Sequence, residues 1–317
     1  SFVCVSEDFW EGTSIFDEYV PDQLGAVLKP VCTITADGIH GLITAYMQIL
    51  TGLVDIVVVE GHSKLSDVVA PNNINVFALD PIFNRPLGLN PFFVAGLEMN
   101  RYLHETKTTE EHCAMVVEKN KKNALDNPYA CYGAKIKKED VLNSEMIFYP
   151  LKSLDVSPPV DGAIVMVLAS ENVAKSLTEN PVWIKGVGWC SDTPSLETRN
   201  WSEALYAIIS GKMAYKKAGI SPREVDIAEI DDTFSYKELQ HLEALKLEDE
   251  GLPVNVSGGS LGVGYSIEAT GLMRIFEVVT QLRGEASGRQ IPDVKIGLAQ
   301  SWRGIPTTSG ATIIMGV

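Results

Sequence analysis

The turn around Thr35 is the part of the chain best placed to present a reactive group. An apolar run leads into the turn at residues 35–38, residues 39–50 then have the spacing of a helix, and a second apolar run follows at 54–59. Strand, sharp turn, helix and strand form an elbow that aims the first helical amides at the side chain on the turn. A cysteine there would have a lowered pKa and attack readily, whereas a threonine hydroxyl needs a base to remove its proton.

A glycine-rich turn at residues 257–264 leads directly into Tyr265 and a following helical stretch. Its pattern, G-G-x-x-G-x-G, lacks the G-K-[ST] of a phosphate-binding P-loop and the early placement of a dinucleotide-binding motif. A nucleotide-dependent oxidoreductase is therefore the least supported of the functions considered.

The composition excludes several classes of protein. The 317 residues are 45% hydrophobic and carry a formal net charge of -15, which suits one or two globular domains and repels nucleic-acid phosphates and anionic lipid. No apolar run approaches the roughly 20 residues that span a bilayer. The five cysteines are scattered without CxxC or a His/Cys cluster, so no disulfide framework or metal site is indicated and a cytoplasmic location is expected.

Short β-branched runs alternate with helical stretches, which predicts an α/β fold with mostly parallel or mixed sheets. The predicted strands are residues 2–5, 55–59, 163–168, 183–187, 227–230, 295–299 and 311–315, and the predicted helices are 110–125, 201–218 and 271–282. Each half holds a strand–turn–helix–strand unit, so we divide the chain into 1–175 and 176–317, with a loop-rich excursion at about 63–148. Because the chain opens on a strand already under way, we expect upstream residues of the first half to be missing.

Five segments, in the same order over nearly the whole chain, resemble motifs of the thiolase superfamily, in particular its archaeal and lipid-transfer-protein-like branch. The segments are 119–130 for KN…NPxA, 150–163 for PL…CSPxSDGAA, 229–235 for HDCF, 255–271 for NxxGG…GHPxGATG, and 281–286 for the end of the pattern. The resemblance implies a thiolase-like five-layered αβαβα fold from two similar halves, and a homodimer joined through the first half.

The positions of the family's reactive residues hold other residue types. Aligned on the helix that follows, the changed positions are Thr35 for the nucleophilic cysteine, Tyr265 for the histidine of GHP, Asp231 for the histidine of HDCF, and Ser301 (or its neighbour Trp302) for the late cysteine. Since nucleophile and base are both replaced, acyl transfer through a cysteine adduct is disfavoured.

The resemblance implies instead that the chain binds an acyl-CoA and works without cysteine. Some members of the superfamily that lack the cysteine are retro-aldolases on β-hydroxyacyl-CoA substrates and use a tyrosine, which makes Tyr265 the candidate acid–base residue. Asp231 or Asp232 would tune that tyrosine or position water. The alternative is that Tyr265 only fills the space of a lost histidine.

The enolate oxygen of such a substrate would be held by backbone amides near Thr35 and Gly38, or by the side chain of Asn255. Close approach of the backbone to the pantetheine and thioester would use the glycines Gly258, Gly259 and Gly264.

The remaining candidates have simple structural explanations. Cys32, three residues before Thr35, fits a small buried hydrophobe better than a displaced nucleophile. His40 fits a packed helix residue, and His62, after a strand, is a weak ligand candidate. Surface positions are expected for His104, His112 and His241. A solvated helix face is expected for Lys119, Lys121 and Lys122, the alternative being contact with CoA phosphates.

Two functions of different classes are consistent with these observations. The first is a CoA-thioester enzyme on an acetyl-CoA acetyltransferase-type scaffold, with cysteine-independent C–C bond chemistry and no metal. The second is a non-catalytic acyl-CoA-binding or scaffold subunit. Many archaeal relatives work beside a small OB-fold/zinc-ribbon protein that helps to bind CoA, so the resemblance implies such a partner.

Overall fold

Alternating strands and helices build two four-stranded sheets. The computed structural model describes residues 1–7, 22–67, 74–88, 90–193, 195–248, 251–304 and 308–317. Its strands are β1 Phe2–Val5, β2 Val31–Ile34, β3 Ile56–Ser63, β4 Met146–Phe148, β5 Leu151–Lys152, β6 Gly162–Ala169, β7 Trp183–Ser191, β8 Ile227–Glu229, β9 Ile296–Arg303 and β10 Ser309–Gly316. Its helices are α1 Gly38–Leu50, α2 Pro91–Glu105, α3 Glu110–Asn123, α4 Lys138–Leu142, α5 Glu171–Leu177, α6 Leu205–Ala218, α7 Ser235–Leu245, α8 Gly259–Val263 and α9 Thr270–Arg283.

Both sheets are mixed, as the sequence predicted. The first has the order β2-β1-β3-β6, in which β6 alone runs antiparallel to its neighbour, and the second has the order β7-β10-β9-β8, in which β10 is antiparallel to both neighbours. All seven predicted strands are confirmed, several of them longer than expected. The chain passes from the first sheet to the second between Ala169 and Trp183.

Helices α1 and α9 lie between the two sheets and share one hydrophobic core with them. Ile43 of α1 and Leu272 of α9 belong to the same buried cluster as Val59 of the first sheet and Ile313 of the second. Helix α1 contains no Asp, Glu, Lys or Arg, as expected of a helix that packs between two sheets. On the far side of the second sheet, α6 packs against β7 and β10. No helix in the described part of the chain is long and apolar enough to cross a membrane.

The excursion in the first half is more helical than predicted. Helix α2 was missed, because Pro91 suggests a loop although it stands at the first turn of the helix, where its missing N–H costs nothing. Asn90 caps this helix by accepting a hydrogen bond from the Phe93 amide at 2.8 Å. The predicted helix α3 is confirmed, and it packs against α7 and α8 of the second half.

The expectation of a solvated helix face holds for Lys122, which is exposed, but is wrong for Lys121, and the expected surface position of His241 is wrong. Lys121 is buried, and its ammonium group donates to the Leu261 carbonyl at 3.0 Å, while Lys119 pairs with Glu238 at 2.7 Å. These side chains attach α3 to the second half, which amphipathic spacing alone does not reveal. His241 is fully buried rather than exposed, 2.7 Å from the Tyr206 hydroxyl, and burial lowers its pKa to about 3.

The close contact between α6 and β7 makes a prediction about stability. A Cβ on Gly188 would lie 2.0 Å from the Ser210 carbonyl oxygen and 2.7 Å from Met213 Cβ. Gly188→Ala should therefore lower the free energy of unfolding by about 1–3 kcal/mol, measured as the urea midpoint. The control is Gly288→Ala, where a Cβ meets no atom within 4 Å; equal midpoints for the two variants would contradict this account of the packing.

Candidate functional site

Asp37 joins the N-termini of the two central helices. It is the N-cap of α1, where its Oδ1 accepts from the Ile39 amide at 2.9 Å, and its Oδ2 accepts from the Gly271 amide of α9 at 2.9 Å. Burial raises the pKa of this carboxyl group, while Arg274 and the Ser301 hydroxyl oppose the rise. A carboxylate is well placed there because helix N-termini attract negative charge.

The turn that carries Thr35 is therefore organised around Asp37. Helix α1 begins at Gly38, three residues after Thr35, and Thr35 itself is exposed. The Ile39 amide is committed to Asp37, and a Cβ on Gly38 would lie 2.6 Å from Leu272 Cγ, so Gly38 faces α9. The N-terminus of α1 therefore binds the buried side chain of Asp37, whereas the side chain of Thr35 is exposed.

Asp231 and Asp232 face a buried arginine on α9. Arg274 lies 2.8 Å from Asp231 Oδ2 and 3.7 Å from Asp232 Oδ1, and it donates to the Ser260 hydroxyl at 2.8 Å. Asp232 also caps α8, accepting from the amides of Ser260 at 2.6 Å and Leu261 at 3.1 Å. Burial raises the pKa of Asp232 to about 6, with Arg274 opposing. Both carboxyl groups thus hold backbone in place as well as contributing charge.

Tyr265 stands at the edge of this charged cluster, half-buried. Its backbone N–H donates to the Pro158 carbonyl at 2.8 Å, and its carbonyl accepts from the Val160 amide at 3.0 Å. Burial raises the pKa of the phenol to about 12; the Arg303 guanidinium opposes that rise and the Asp231 carboxylate adds to it. The phenol is therefore a proton donor at neutral pH, and Arg303 is the group that would stabilise a phenolate.

Arg303 is held from two directions. Its guanidinium lies 2.5 Å from a Glu7 carboxylate oxygen, just beyond β1, and 3.8 Å from Glu268. The Tyr265 phenol, Glu7 and Glu268 together raise the pKa of Arg303. The guanidinium is consequently charged at every accessible pH, and its charge favours the phenolate form of Tyr265.

Ser301 and Asn255 are both buried but contact different parts of the protein. Ser301 is fully buried on β9, where its hydroxyl lowers the pKa of Asp37, so it belongs to the cluster. Asn255 is also fully buried, but its Oδ1 accepts from the Ile230 amide at 2.7 Å and its Nδ2 donates to Glu238 at 2.7 Å. Its amide therefore holds the loop after β8. The structure brings Ser301 to the cluster, and it uses Asn255 elsewhere.

A cavity of about 400 Å³ lies beside the cluster, with Gly259, Gly264 and Arg274 in its wall. Gly264 has φ 120°, which favours glycine, and a Cβ there would lie 2.7 Å from Val160 Cβ. Gly259 lets Asp232 approach, because a Cβ would lie 2.1 Å from its Oδ2. By the same criterion Gly258 faces Ala124 and does not line the cavity.

The other candidates take structural roles. The Cys32 thiol lies on β2 and accepts from Gln48 Nε2 at 3.3 Å, packed against the central core. Burial lowers the pKa of His40 to about 4. His62 lies 2.7 Å from the Glu60 carboxylate. Within the described residues no group of three or more His, Cys, Asp or Glu side chains could hold a metal ion.

Sequence reasoning missed Asp37, Arg274 and Arg303. Arg274 did leave a signal, since it interrupts the apolar face that Ile275 and Val278 continue on α9. A charge on a buried face needs a partner, and Asp231 is that partner. The separation between the two residues along the chain hides the pair from any local pattern.

The second half matches the family model described as "Thiolase C-terminal domain-like" at residues 190–252 and 247–316. The acetyl-CoA acetyltransferase of Methanothermobacter thermautotrophicus is 32% identical over 295 residues, covering 88% of this chain and 77% of that protein. Sterol carrier protein 2 of Bos taurus is 29% identical over 332 residues, covering 93% of this chain and 60% of that protein.

Solved structures agree with the sequence relatives. The structure described as "Ltp2-ChsH2(DUF35) aldolase" has a TM-score of 0.82 at 24% identity and covers 100% of this chain and 86% of that one. Human mitochondrial 3-ketoacyl-CoA thiolase has a TM-score of 0.76 at 16% identity, covering 99% and 86%. These likenesses confirm the thiolase-like five-layered αβαβα fold. By fold and by sequence, this chain belongs to the thiolase superfamily.

Proposed function

We propose that the chain binds an acyl-CoA thioester and cleaves, or in reverse forms, a C–C bond by retro-aldol chemistry, with Tyr265 as the acid–base residue. The observation that carries the proposal is the half-buried Tyr265 phenol, whose pKa burial raises and the Arg303 guanidinium lowers. The names of relatives support it, since one is an acetyl-CoA acetyltransferase and one structural neighbour is an aldolase.

A cysteine-type acyl adduct at the start of α1 is disfavoured. The Ile39 and Gly271 amides already donate to Asp37, so they are not free to hold an oxyanion. A buried carboxylate at that point would also repel the negative charge of a tetrahedral intermediate. Charge that develops on the substrate must therefore be stabilised elsewhere, and Arg303 is the cation whose charge favours the Tyr265 phenolate.

The cleavage step balances without any other reactant. The phenolate form of Tyr265 takes the proton of the substrate's β-hydroxyl, the Cα–Cβ bond breaks, and the electron pair passes to the thioester carbonyl as an enolate. The β-carbon leaves as a ketone or aldehyde. The proton on Tyr265 then returns to Cα, which releases a shorter acyl-CoA and restores the phenolate. Arg303 favours the phenolate that starts the cycle.

A non-catalytic acyl-CoA-binding or scaffold subunit is the second candidate. It is favoured by Arg274, which neutralises the carboxylates of Asp231 and Asp232 and so reduces their use in proton transfer. The aldolase neighbour is described together with ChsH2(DUF35). This supports the proposal that the chain also binds a small partner protein, in addition to forming a homodimer.

Removal of the Tyr265 hydroxyl tests the acid–base role. With a panel of β-hydroxyacyl-CoA substrates, Tyr265→Phe should lower the rate of shorter acyl-CoA release about 10²–10⁴-fold, followed by chromatography of the CoA products. Tyr149→Phe, which alters an exposed phenol, should keep the wild-type rate. Wild-type turnover by Tyr265→Phe would eliminate the mechanism, and acyl-CoA binding by a wild-type chain without turnover would favour the scaffold.

The raised pKa of Tyr265 predicts the pH dependence of cleavage. Because the pKa is about 12, the phenolate fraction grows about tenfold per pH unit below that value. The rate of cleavage should rise with a slope near one on a logarithmic plot from about pH 7 to 9, since cleavage begins with the phenolate. Condensation is the reverse reaction and begins with the phenolate taking a proton from Cα, so its rate should rise with the same slope. A flat cleavage profile would exclude the phenolate as base.

A further inference from the structure

We infer that the cavity of about 400 Å³ beside Gly264 takes the neutral, apolar end of the acyl group, and that the substrate is an acyl-CoA of medium chain length. The inference rests on the proposed function for the identity of the ligand as an acyl-CoA. It adds which part of that ligand enters this cavity and how large that part is.

The wall of the cavity is mainly apolar. It includes Val160, Ile164, Val165, Val263, Met273 and Phe276. The ring of Tyr129 meets Phe276 edge to face, with centroids 5.5 Å apart, and closes one side. An unbranched thioether such as Met273 adapts to differently shaped apolar ligands. Such a wall gains free energy by taking hydrocarbon out of water.

The charged side chains in the wall already have partners inside the protein. Arg274 pairs with Asp231 at 2.8 Å, and Glu277 pairs with Arg289 at 2.9 Å. Asp161, at the rim, accepts from the Ser66 hydroxyl at 2.6 Å. A phosphate needs cations that are free to bind it, so this wall suits a neutral group better than the nucleotide of CoA.

The volume sets the size of the group. At about 30 Å³ for each water-sized atom, the cavity holds roughly 13 non-hydrogen atoms. The cavity also adjoins the segment that carries Tyr265, because Val160 of its wall donates to the Tyr265 carbonyl and Gly264 directly precedes Tyr265. An acyl chain lying in the cavity would thus extend away from a thioester bound next to this segment.

An affinity series tests the inference without turnover. Dissociation constants for CoA and for acetyl-, hexanoyl-, decanoyl- and palmitoyl-CoA should fall by up to about fourfold per methylene, the equivalent of about 0.8 kcal/mol per buried CH₂, and level off beyond about 12 carbons. Equal affinities for CoA and decanoyl-CoA would overturn the inference.

A pair of variants locates the acyl chain. Val165 and Val167 are both exposed and point to the same side of β6, but Val165 alone of the two lines this cavity. Val165→Trp should lower the affinity for decanoyl-CoA at least tenfold and leave the affinity for acetyl-CoA unchanged. Val167→Trp should change neither affinity. The same response from both variants would contradict the placement.

Cys131 supplies an independent readout. Its thiol is exposed and in the cavity wall, so decanoyl-CoA, but not CoA, should slow its alkylation by iodoacetamide, followed by mass spectrometry with Cys190 as internal reference. Turnover separates this inference from the proposed function. If binding depends on chain length and Cys131 is protected but no cleavage occurs, the proposed function is wrong and the inference stands. If cleavage occurs but binding does not depend on chain length, the inference alone is wrong. If no acyl-CoA binds, both are wrong.

Discussion

The carboxylate of Asp37 is the contact on which the centre of the molecule depends. It accepts one hydrogen bond from the first turn of α1 and one from the first turn of α9, so one side chain sets the relative position of both central helices. Hydrogen bonds to a charged group contribute about 1.5–3 kcal/mol each, and the shared hydrophobic core of the two sheets packs around these helices. The contact also leaves no space for a side chain at Gly271, where a Cβ would lie 1.8 Å from Asp37 Oδ1.

The same contact supports the proposal that this thiolase scaffold works without the family's nucleophile. Negative charge at a helix N-terminus is favourable whatever its source, and here the Asp37 carboxylate supplies it. The contact fixes the two halves of the chain against each other, and under the proposed function it replaces the place where a thioester would be attacked. Arg274 neutralises Asp231 and Asp232, which would otherwise add further buried negative charge next to Asp37.

The fold was largely predictable from the sequence, because β-branched runs and glycine caps act locally. Gly219 and Gly284 end α6 and α9 with left-handed conformations, as expected. Helix α2 was not predictable in the same way, since Pro91 can equally open a helix or belong to a loop. In the site, motif order selected Tyr265 and Asp231, and the alignment of the turn selected Thr35, which is exposed. Neither selected Asp37, the buried side chain that joins the two helices. The pair of Asp231 and Arg274 depends on distant parts of the chain, as does the burial of His241 against Tyr206, and no local pattern contains such information.

The Glu7–Arg303 ion pair links the two halves, since Glu7 follows a strand of the first sheet and Arg303 ends a strand of the second. Any shear of one sheet against the other would stretch this link and move the cation that acts on Tyr265. The pKa of the phenol therefore depends on the relative position of the two sheets. A protein bound across both halves would therefore change the pKa of the phenol without touching it.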